Sequence, residues 1–532
     1  MKKKHWSAKL SLMLIALVIV LAGCQPVGSV DVSKVMSNLF TVKSSEGASS
    51  VTLELTADPA ASITPEEKRA IELLNGFKVE VTEMKQQSPT ELSAKGSLAY
   101  ANVKIPFHLV LSDMIYTIQI EGAKKPIVIG NSAAIGAGSA LPTTPELQKQ
   151  IEQLGQKAVE AMPKFSSFFT SNFPNPKTIS AEAANVTVNG EALQLQKLHV
   201  ELKGSELVGL IKGFLTNVLK DEEGLKQFIA ALYDVYAPFL KEMVKAGSAN
   251  AEGDTGALDS IMPFLENKTL AVEFIYTFLK SNLEQVVASF DQSLNSLPKN
   301  EDGMSIQDLL NDNQSLTMDL YVDAENVTRK STSVLLLTLP DSAKHGLKSI
   351  KVTSSGEVWN VNKPVTIDPI DTTGGVVEWM NKSGRLTSSK LVASLDPKSD
   401  LYKLLKDELN ITKKEVNLTV SSEDSIIPGL TPFNDQGTVM VPARFVAEQL
   451  DADVEWDAAK QQVTITDPLS GNVTVLTINS TQASVNGQLQ TLEKAAVIVD
   501  GSTYIPVRFV AESMNAKVGW TQETQTVGIV RE

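Results

Sequence analysis

The residues with the clearest chemical potential are charged residues that recur in two similar stretches of the sequence. Arg444 and Glu448 are followed 64 residues later by Arg508 and Glu512. A pair of carboxylates that works in general acid–base catalysis needs a cleft that lets one of them hold a proton. An arginine one helical turn away instead favours the charged carboxylate, with about 0.3 kcal/mol per pair. We therefore predict two structural ion pairs rather than a catalytic pair.

Histidine is the other residue type that could act as a base or hold a metal. Besides His5, the sequence has His108, His199 and His345, which are widely separated and follow no metal-ligand spacing. His108 and His199 stand at polar positions of alternating segments, which predicts solvent-facing side chains. The sequence also lacks a serine-hydrolase elbow, a phosphate-binding loop and a zinc-binding helix, which leaves a hydrolase as the weakest functional class. We predict no enzyme activity, no metal site and no cofactor.

Two acidic groupings are candidates for cation binding. Asp451, Asp453 and Glu455 alternate along one segment, and residues 311–313 begin like a calcium loop. The second grouping lacks the glycine and the final glutamate that such a loop requires. We predict a solvated acidic face for the first and a simple turn for the second.

The recurring charges belong to an internal repeat. Between residues 440–466 and 504–530, 12 of the 27 aligned positions are identical. Each copy predicts a strand, a short helix with proline at its first position, and a β-hairpin. One copy is too small to hold a core, so we expect the two copies to share one. The repeated positions of interest are Pro442, Arg444, Phe445, Glu448 and Trp456, and Pro506, Arg508, Phe509, Glu512 and Trp520.

The repeated pattern, Pro-x-Arg-Phe-Val-Ala-Glu followed by Val-x-Trp, resembles the stalk domain of Gram-positive surface proteins. That domain is named for the N-terminal domain of copper amine oxidases. The resemblance covers residues 413–532, with Asn486-Gly487 between the copies. It implies a non-catalytic, duplicated β-α-β-β module and no oxidase chemistry. The family usually has glycine where this sequence has Asp451 and Asn515, at helix ends that favour a left-handed residue.

Chemistry of a different kind is expected at Cys24, the single cysteine of the sequence. Four lysines precede an apolar run over residues 10–22, which has the length of a signal-peptide core and is shorter than a membrane span. The run ends in Leu-Ala-Gly-Cys, which resembles the lipobox of bacterial lipoproteins. That resemblance implies a signal peptide over residues 1–23 and fatty acyl chains, such as palmitate, on Cys24.

A lipidated Cys24 implies a protein held on the extracytoplasmic face of the cell membrane, since two acyl chains anchor stably. We predict a tether over residues 24–50. The formal net charge of −14 becomes more negative when the four signal-peptide lysines are removed. Nucleic acid repels such a chain, so we expect no nucleic-acid partner.

Residues 51–410 predict an α+β body, because helices follow one set of strands and precede another. The alternation over residues 103–120 turns at Ser112-Asp113, and Asn189-Gly190 is typical of a tight hairpin. The body resembles the half-barrel lipoproteins, in which a curved antiparallel sheet wraps helices and leaves an apolar cleft. Helices are predicted at residues 146–162, from a Ser205 cap, at 224–245, 269–294 and 401–409, with a candidate subdomain break at 246–257.

The function predicted first is a non-enzymatic envelope lipoprotein with an adhesion or scaffold role. Its duplicated module would bind a cell-wall polymer or a surface protein. The alternative is a carrier or sensor of an apolar ligand or lipid in a cleft of the N-terminal body.

Overall fold

The structure, a computed structural model, divides the chain into two compact units. It describes residues 26–130, 145–250, 261–298, 305–308, 310–340, 342, 346–381, 384–420 and 431–531. Unit 1 comprises the residues up to Ile120 together with Val128–Thr373, and unit 2 comprises Glu121–Ile127 and Gly374–Glu532. Both units combine helices with antiparallel sheets, so the predicted α+β class is confirmed.

Unit 1 is built on a large antiparallel sheet of the half-barrel kind. The strands are β1 (Ser45–Ala57), β2 (Phe77–Ser88), β3 (Glu91–Tyr100), β4 (Val103–Ser112), β5 (Ile115–Ile120), β6 (Ile127–Ile129), β7 (Thr178–Val188), β8 (Glu191–Lys203), β9 (Ser315–Val322), β10 (Thr328–Thr338) and β11 (Leu347–Trp359). Ten of them follow the spatial order β5-β4-β3-β2-β1-β11-β10-β9-β8-β7. Strand β1 therefore pairs with β11 in the interior of the sheet, and contacts of very long sequence separation join the two halves of the sheet.

Helices cover part of this sheet and pack on one another. They are α1 (Val32–Thr41), α2 (Pro65–Leu74), α3 (Pro145–Asn172), α4 (Gly204–Lys220), α5 (Glu222–Asn250), α6 (Met262–Glu266) and α7 (Lys268–Asn295), with a 3₁₀ turn at Ile306–Asp308. Leu207 and Leu210 of α4 are buried in one cluster with Leu202, Leu316 and Leu337 of the sheet. Of the helices that the structure describes, none combines the length and the hydropathy that a membrane crossing requires.

The predicted tether over residues 24–50 is wrong for most of its described part. Val30, Val32 and Val35 are buried against Leu198 and Val200 of β8, so this segment belongs to the core of unit 1. The carboxylate of Asp31 caps α1 by accepting from the backbone N–H of Lys34 at 3.0 Å. Strand β1 also begins at Ser45, before the predicted start of the body at residue 51.

Two local predictions in the helices of unit 1 are also wrong. The helix predicted at 146–162 continues through Pro163 to Asn172, because Phe168 beyond the proline stacks on Phe228 of α5 at 4.5 Å. Ser205 does not cap α4. The N-cap is Lys203, which makes no side-chain cap bond, and the Ser205 hydroxyl donates to Asp312 in the turn at 311–313.

The hairpin turns of unit 1 are close to the predicted ones. Asn189 and Gly190 have φ angles of 46° and 80°, as a two-residue type I′ turn requires. The turn expected at Ser112-Asp113 is displaced by one residue, since Asp113 and Met114 have positive φ.

The described elements of unit 2 are β12 (Val377–Glu378), β13 (Met380–Asn381), β14 (Gly384–Arg385), α8 (Ser388–Ala393), α9 (Asp400–Tyr402), a π-helical turn (Lys403–Glu408), β15 (Lys414–Thr419), β16 (Phe433–Asp435), β17 (Thr438–Pro442), α10 (Ala443–Gln449), β18 (Asp453–Asp457), β19 (Gln462–Thr466), β20 (Val473–Thr477), β21 (Gln482–Val485), β22 (Gln488–Thr491), β23 (Val497–Val499), β24 (Ser502–Pro506), α11 (Val507–Ser513), β25 (Lys517–Thr521) and β26 (Thr526–Arg531). Strands β15 to β26 form three antiparallel sheets, with the orders β16-β17-β24-β23, β18-β19-β20-β21-β22 and β15-β26-β25. Strands β13 and β14 pair in a separate two-stranded sheet.

The boundary between the units differs from the predicted one, which ended the body at residue 410 and began the module at 413. Residues 374–412 belong to unit 2, and so does the distant segment 121–127. That segment is held by backbone hydrogen bonds from Lys124 N–H to Ser394 O and from Asp396 N–H to Gly122 O. The candidate subdomain break at 246–257 stays a prediction, since α5 runs to Asn250. Residues 251–260 lie outside the described ones.

Unit 2 contains two sets of elements 64 residues apart. We call residues 433–467 the first copy and 497–531 the second copy. Each has two strands, a helix and a hairpin, and their bounds match at this offset except that β26 ends at Arg531, one residue later than the equivalent of β19. Strands β17 and β24 pair antiparallel, with Val441 directly opposite its equivalent, Ile505. A local two-fold axis therefore passes between these two residues. Leu450 and Met514 lie at the ends of the two helices. They are buried in one core to which both copies contribute side chains.

Candidate functional site

His108 and His199, the two histidines that the structure describes, belong to no metal-binding cluster of described residues. His108 is half-buried, and its Nε2 atom is buried without a hydrogen-bond partner among the described residues, so the predicted solvent-facing position is wrong for this atom. Burial lowers the pKa of His108. His199 lies on β8 opposite Asp319, and its Nδ1 is 2.6 Å from a carboxylate oxygen of that residue. His345 lies outside the described residues. Within the described ranges, no cluster of three or more His, Cys, Asp or Glu residues could hold a metal ion.

The predicted acidic face at residues 451–455 is wrong for Asp451. Its side chain is buried, forms an ion pair with Lys414 at 3.1 Å and accepts hydrogen bonds from the backbone and hydroxyl of Ser389. Asp453 forms an ion pair with Lys390 at 2.5 Å. These carboxylates connect the first copy to the preceding chain through ion pairs and hydrogen bonds. The buried charge of Asp451 requires such partners, because a buried charge is stable only when it is paired and hydrogen-bonded.

The repeated tryptophans mark two grooves on unit 2. The first groove, with a volume of about 550 Å³, lies beside Trp456 and contains Arg444 and Glu448. It is also lined by Ile498, Gly501, Ser502 and Thr503 of the second copy, and by Pro442, Ala443, Phe445, Val454 and Val463 of the first.

The second groove, with a volume of about 360 Å³, lies beside Trp520 and contains Arg508. The first copy contributes Asn434, Gly437, Thr438 and Val439 to it. Its remaining lining residues are Glu493, Val507, Val518, Gly519, Gln522, Gln525 and Val527.

The two grooves are built from equivalent positions. Nine of the twelve positions that line the first groove have an equivalent, 64 residues away, that lines the second. Each groove lies between the helix and hairpin of one copy and the paired strands β16–β17 or β23–β24 of the other copy. Neither copy alone would therefore form a groove.

The grooves expose side chains that suit a polyhydroxylated ring. Trp456 and Trp520 are each 40% exposed, which is high for an aromatic residue beside a core. An indole offers a flat apolar face, while the arginines donate and the hydroxyl and amide groups donate and accept. This combination of one apolar face and few polar groups is typical of a binding groove.

The predicted ion pairs form in only one copy. Arg444 Nη1 lies 3.2 Å from Glu448 Oε1, as the spacing predicted. Among the residues that the structure describes, no ion pair joins Arg508 to Glu512. Trp520 Nε1 donates to Gln522 at 2.7 Å, whereas Ala458 occupies the equivalent position in the first copy.

The repeated prolines were placed one residue too far into the helices. Pro442 and Pro506 are the N-caps of α10 and α11 and the last residues of β17 and β24. Their φ angles of −63° and −61° suit both roles, so each proline joins a strand directly to a helix. Phe445 and Phe509 are partly buried and pack against the shared core.

Sequence reasoning missed the polar groups that complete the grooves. In each groove these polar groups come from the copy that does not supply the tryptophan. They are Asn434 of β16, Thr438 of β17, and Ser502 and Thr503 of β24. The 64-residue offset was the available signal, because it extends from the quoted repeat back to residues 433 and 497. Cys24 and the signal peptide over residues 1–23 lie outside the described residues, so lipidation stays a prediction.

One comparison with known proteins concerns unit 2. The family model of the copper amine oxidase N-terminal domain matches residues 419–529. The match supports the recognition of the C-terminal domain, and it covers about a fifth of the chain. No curated protein matches the sequence.

Proposed function

We propose that this chain is a non-enzymatic lipoprotein of the bacterial cell envelope. Lipid on Cys24 anchors it to the extracytoplasmic face of the cell membrane, and unit 2 acts as a stalk-type domain that binds the cell wall. The observation that carries this proposal is the pair of equivalent tryptophan grooves. The lipobox-like sequence and the family match at residues 419–529 support the location and the non-catalytic module.

A wall polymer suits these grooves better than a surface protein. A protein interface of the usual kind has a contiguous apolar centre from which water is excluded. Each groove instead presents one half-exposed indole together with an arginine, a glutamate and hydroxyl groups, beside apolar side chains, and the second groove adds amide groups. Sugar rings match this pattern because they have an apolar C–H face and a rim of hydroxyl groups. A surface-protein partner is the contrasting outcome of the binding test.

The wall-binding proposal is tested by co-sedimentation of the full chain with purified peptidoglycan sacculi. The double variant Trp456→Ala/Trp520→Ala should leave about a tenth of the bound fraction, because it removes both aromatic faces. Leu489→Ala is the matched control, since Leu489 is 76% exposed in the same unit and lines neither groove. Equal binding by the double variant and the control would overturn the proposal.

The anchor is tested separately with Cys24→Ala in the producing cell. We expect the protein to move from the membrane fraction to the soluble fraction and to lose labelling by a palmitate analogue. Ser29→Ala serves as the control. Unchanged membrane partitioning and unchanged labelling of Cys24→Ala would contradict the lipoprotein proposal without affecting the wall-binding one.

The alternative, a carrier of an apolar ligand in the N-terminal body, has one observation in its favour. A cleft of about 440 Å³ lies between α3 and α5, with Phe168 and Phe228 in its wall. Lys164, Asp221 and Gln227 also line this cleft, which does not suit a long acyl chain. Stoichiometric binding of a fluorescent fatty acid that Phe228→Ala weakens would favour the carrier over the scaffold.

A further inference from the structure

We propose that the two grooves are independent sites for the same uncharged sugar unit, so that one chain holds two segments of a repeating polysaccharide. This inference rests on the proposed wall binding and specifies its ligand class and its valence. A domain with two such sites links segments of polymer rather than merely adhering to one of them.

The equivalence of the grooves follows from the local two-fold axis. Val441 faces Ile505 across the β17–β24 pair, and these residues are equivalent positions of the two copies. Asp467 and Arg531 are also equivalent positions, and they contact each other. The axis is therefore defined at two separate places, and it relates the two grooves to each other.

The grooves can be occupied independently because they share no lining residue. Trp456, Arg444 and Ser502 belong to the first groove, and Trp520, Arg508 and Thr438 belong to the second. Each set contains an aromatic face, a guanidinium and a hydroxyl group. Two sites of this kind on one rigid core bind a polymer far more tightly than one, since the second contact becomes intramolecular.

The charges of the grooves favour an uncharged ligand. Each groove contains one arginine and one glutamate, Arg444 with Glu448 and Arg508 with Glu493. Residues 374–532 carry 20 Asp and Glu against 14 Lys and Arg, so a polyphosphate would meet a net negative domain. The ligand class is therefore a neutral glycan rather than an anionic wall polymer.

The test is isothermal titration of the full chain with a soluble hexamer of β-1,4-linked N-acetylglucosamine, a neutral repeating glycan. We expect two sites per chain. Trp456→Ala and Trp520→Ala should each leave one site of nearly unchanged affinity, and the double variant should bind about tenfold more weakly or not at all. Trp456→Phe, which keeps an aromatic face, should retain two sites and guards against a folding artefact.

Three results would overturn this inference. They are one site in the unaltered chain, loss of both sites in a single tryptophan variant, and stronger binding of poly(glycerol phosphate) than of the hexamer. Each result is separable from failure of the proposed function. If sacculi bind in a tryptophan-dependent manner while the hexamer does not, wall binding stands and the neutral-glycan assignment is wrong.

Discussion

The first and second copies of unit 2 have the same backbone and different attachments. Their strands, helices and hairpins have bounds that match at the 64-residue offset, apart from one additional residue at the end of β26. Both helices end at a left-handed residue, Asp451 with φ 62° and Asn515 with φ 56°. The side chains at these two positions nevertheless have different surroundings. The positions that the two copies share therefore set the backbone of each copy, and the positions at which they differ set its contacts with the rest of unit 2.

The two copies contact the preceding chain in different ways. The second copy pairs β26 with β15 through the backbone, whereas the first copy uses the side chains of Asp451 and Asp453. Asp451 is held by Ser389 and Lys414, and Asp453 is held by Lys390. The second copy has Asn515 and Lys517 at these positions. An aspartate at a left-handed position costs more than glycine there, and the bonds to Ser389 and Lys414 offset that cost.

The two-fold axis between the copies explains why one pair of equivalent positions has residues of opposite charge. Arg531 and Asp467 occupy equivalent positions and are 3% and 1% exposed in their side chains. Because equivalent positions meet at a two-fold axis, an identical charged residue in both copies would place like charges in contact. One copy has aspartate and the other arginine, which converts that repulsion into an ion pair at 2.5 Å.

The largest effect is expected from Arg531→Met. It leaves Asp467 charged, buried and unpaired and removes the hydrogen bond to Leu450 O, which should cost about 4 kcal/mol of the free energy of unfolding of unit 2. Urea unfolding followed by tryptophan fluorescence measures this cost. The double variant Asp467→Asn/Arg531→Met, which removes the charge and keeps an acceptor for the backbone N–H of Leu469, should recover most of it. A double variant as unstable as Arg531→Met would contradict this account of the axis.

The next largest effect is expected in the shared core, where equivalent substitutions in the two copies should lower the free energy of unfolding equally. Leu450→Ala and Met514→Ala each remove a fully buried side chain at the end of an equivalent helix, at about 3 kcal/mol each. The same urea experiment compares the two variants directly. A difference of more than about 2 kcal/mol would show that the core is not evenly shared between the copies.

Removing the ion pair of Asp451 should lower the free energy of unfolding of unit 2 by about 1–2 kcal/mol more than the equivalent change in the second copy. Asp451→Asn removes the buried charge that pairs with Lys414, whereas the reciprocal change Asn515→Asp should alter stability by less than about 0.5 kcal/mol. Thermal unfolding of both variants provides the measurement. Equal losses would mean that the bonds of Asp451 add no stability to the first copy.

The smallest effect is a dependence on pH in one hairpin. Backbone and side-chain hydrogen bonds with Lys460 lower the pKa of Asp457, whose equivalent in the second copy is the non-titrating Thr521. A lowered pKa in the folded state means that this contribution is present above the unfolded value and is lost as the pH falls through the folded one. Carboxyl carbon NMR should therefore report a pKa below 3.8 for Asp457. A value at or above 3.8 would contradict the observed hydrogen bonds.

Much of the local structure could be predicted from the sequence. Apolar alternation located the strands of unit 1, and helical periodicity located α5 and α7, because both patterns reflect geometry within one element. Asn189-Gly190 specified a hairpin turn through its tolerance of positive φ. The repeat located two tryptophans and two arginines of the candidate site. It did not show that strands of the other copy complete each groove.

The sequence by itself determined the repeat, its helices and hairpins, the left-handed helix ends and the apolar positions of the shared core. The tertiary structure alone decided that residues 121–127 join unit 2, that Asp451 is buried, and that Asp467 meets Arg531. Within the described residues, it also decided that Arg444 pairs with Glu448 whereas Arg508 does not pair with Glu512. The reason is physical: periodicity and turn preference act over a few residues, whereas the contacts of residues 121–127, Asp451 with Ser389, and Asp467 with Arg531 join positions 62 to 274 residues apart, which no local pattern encodes.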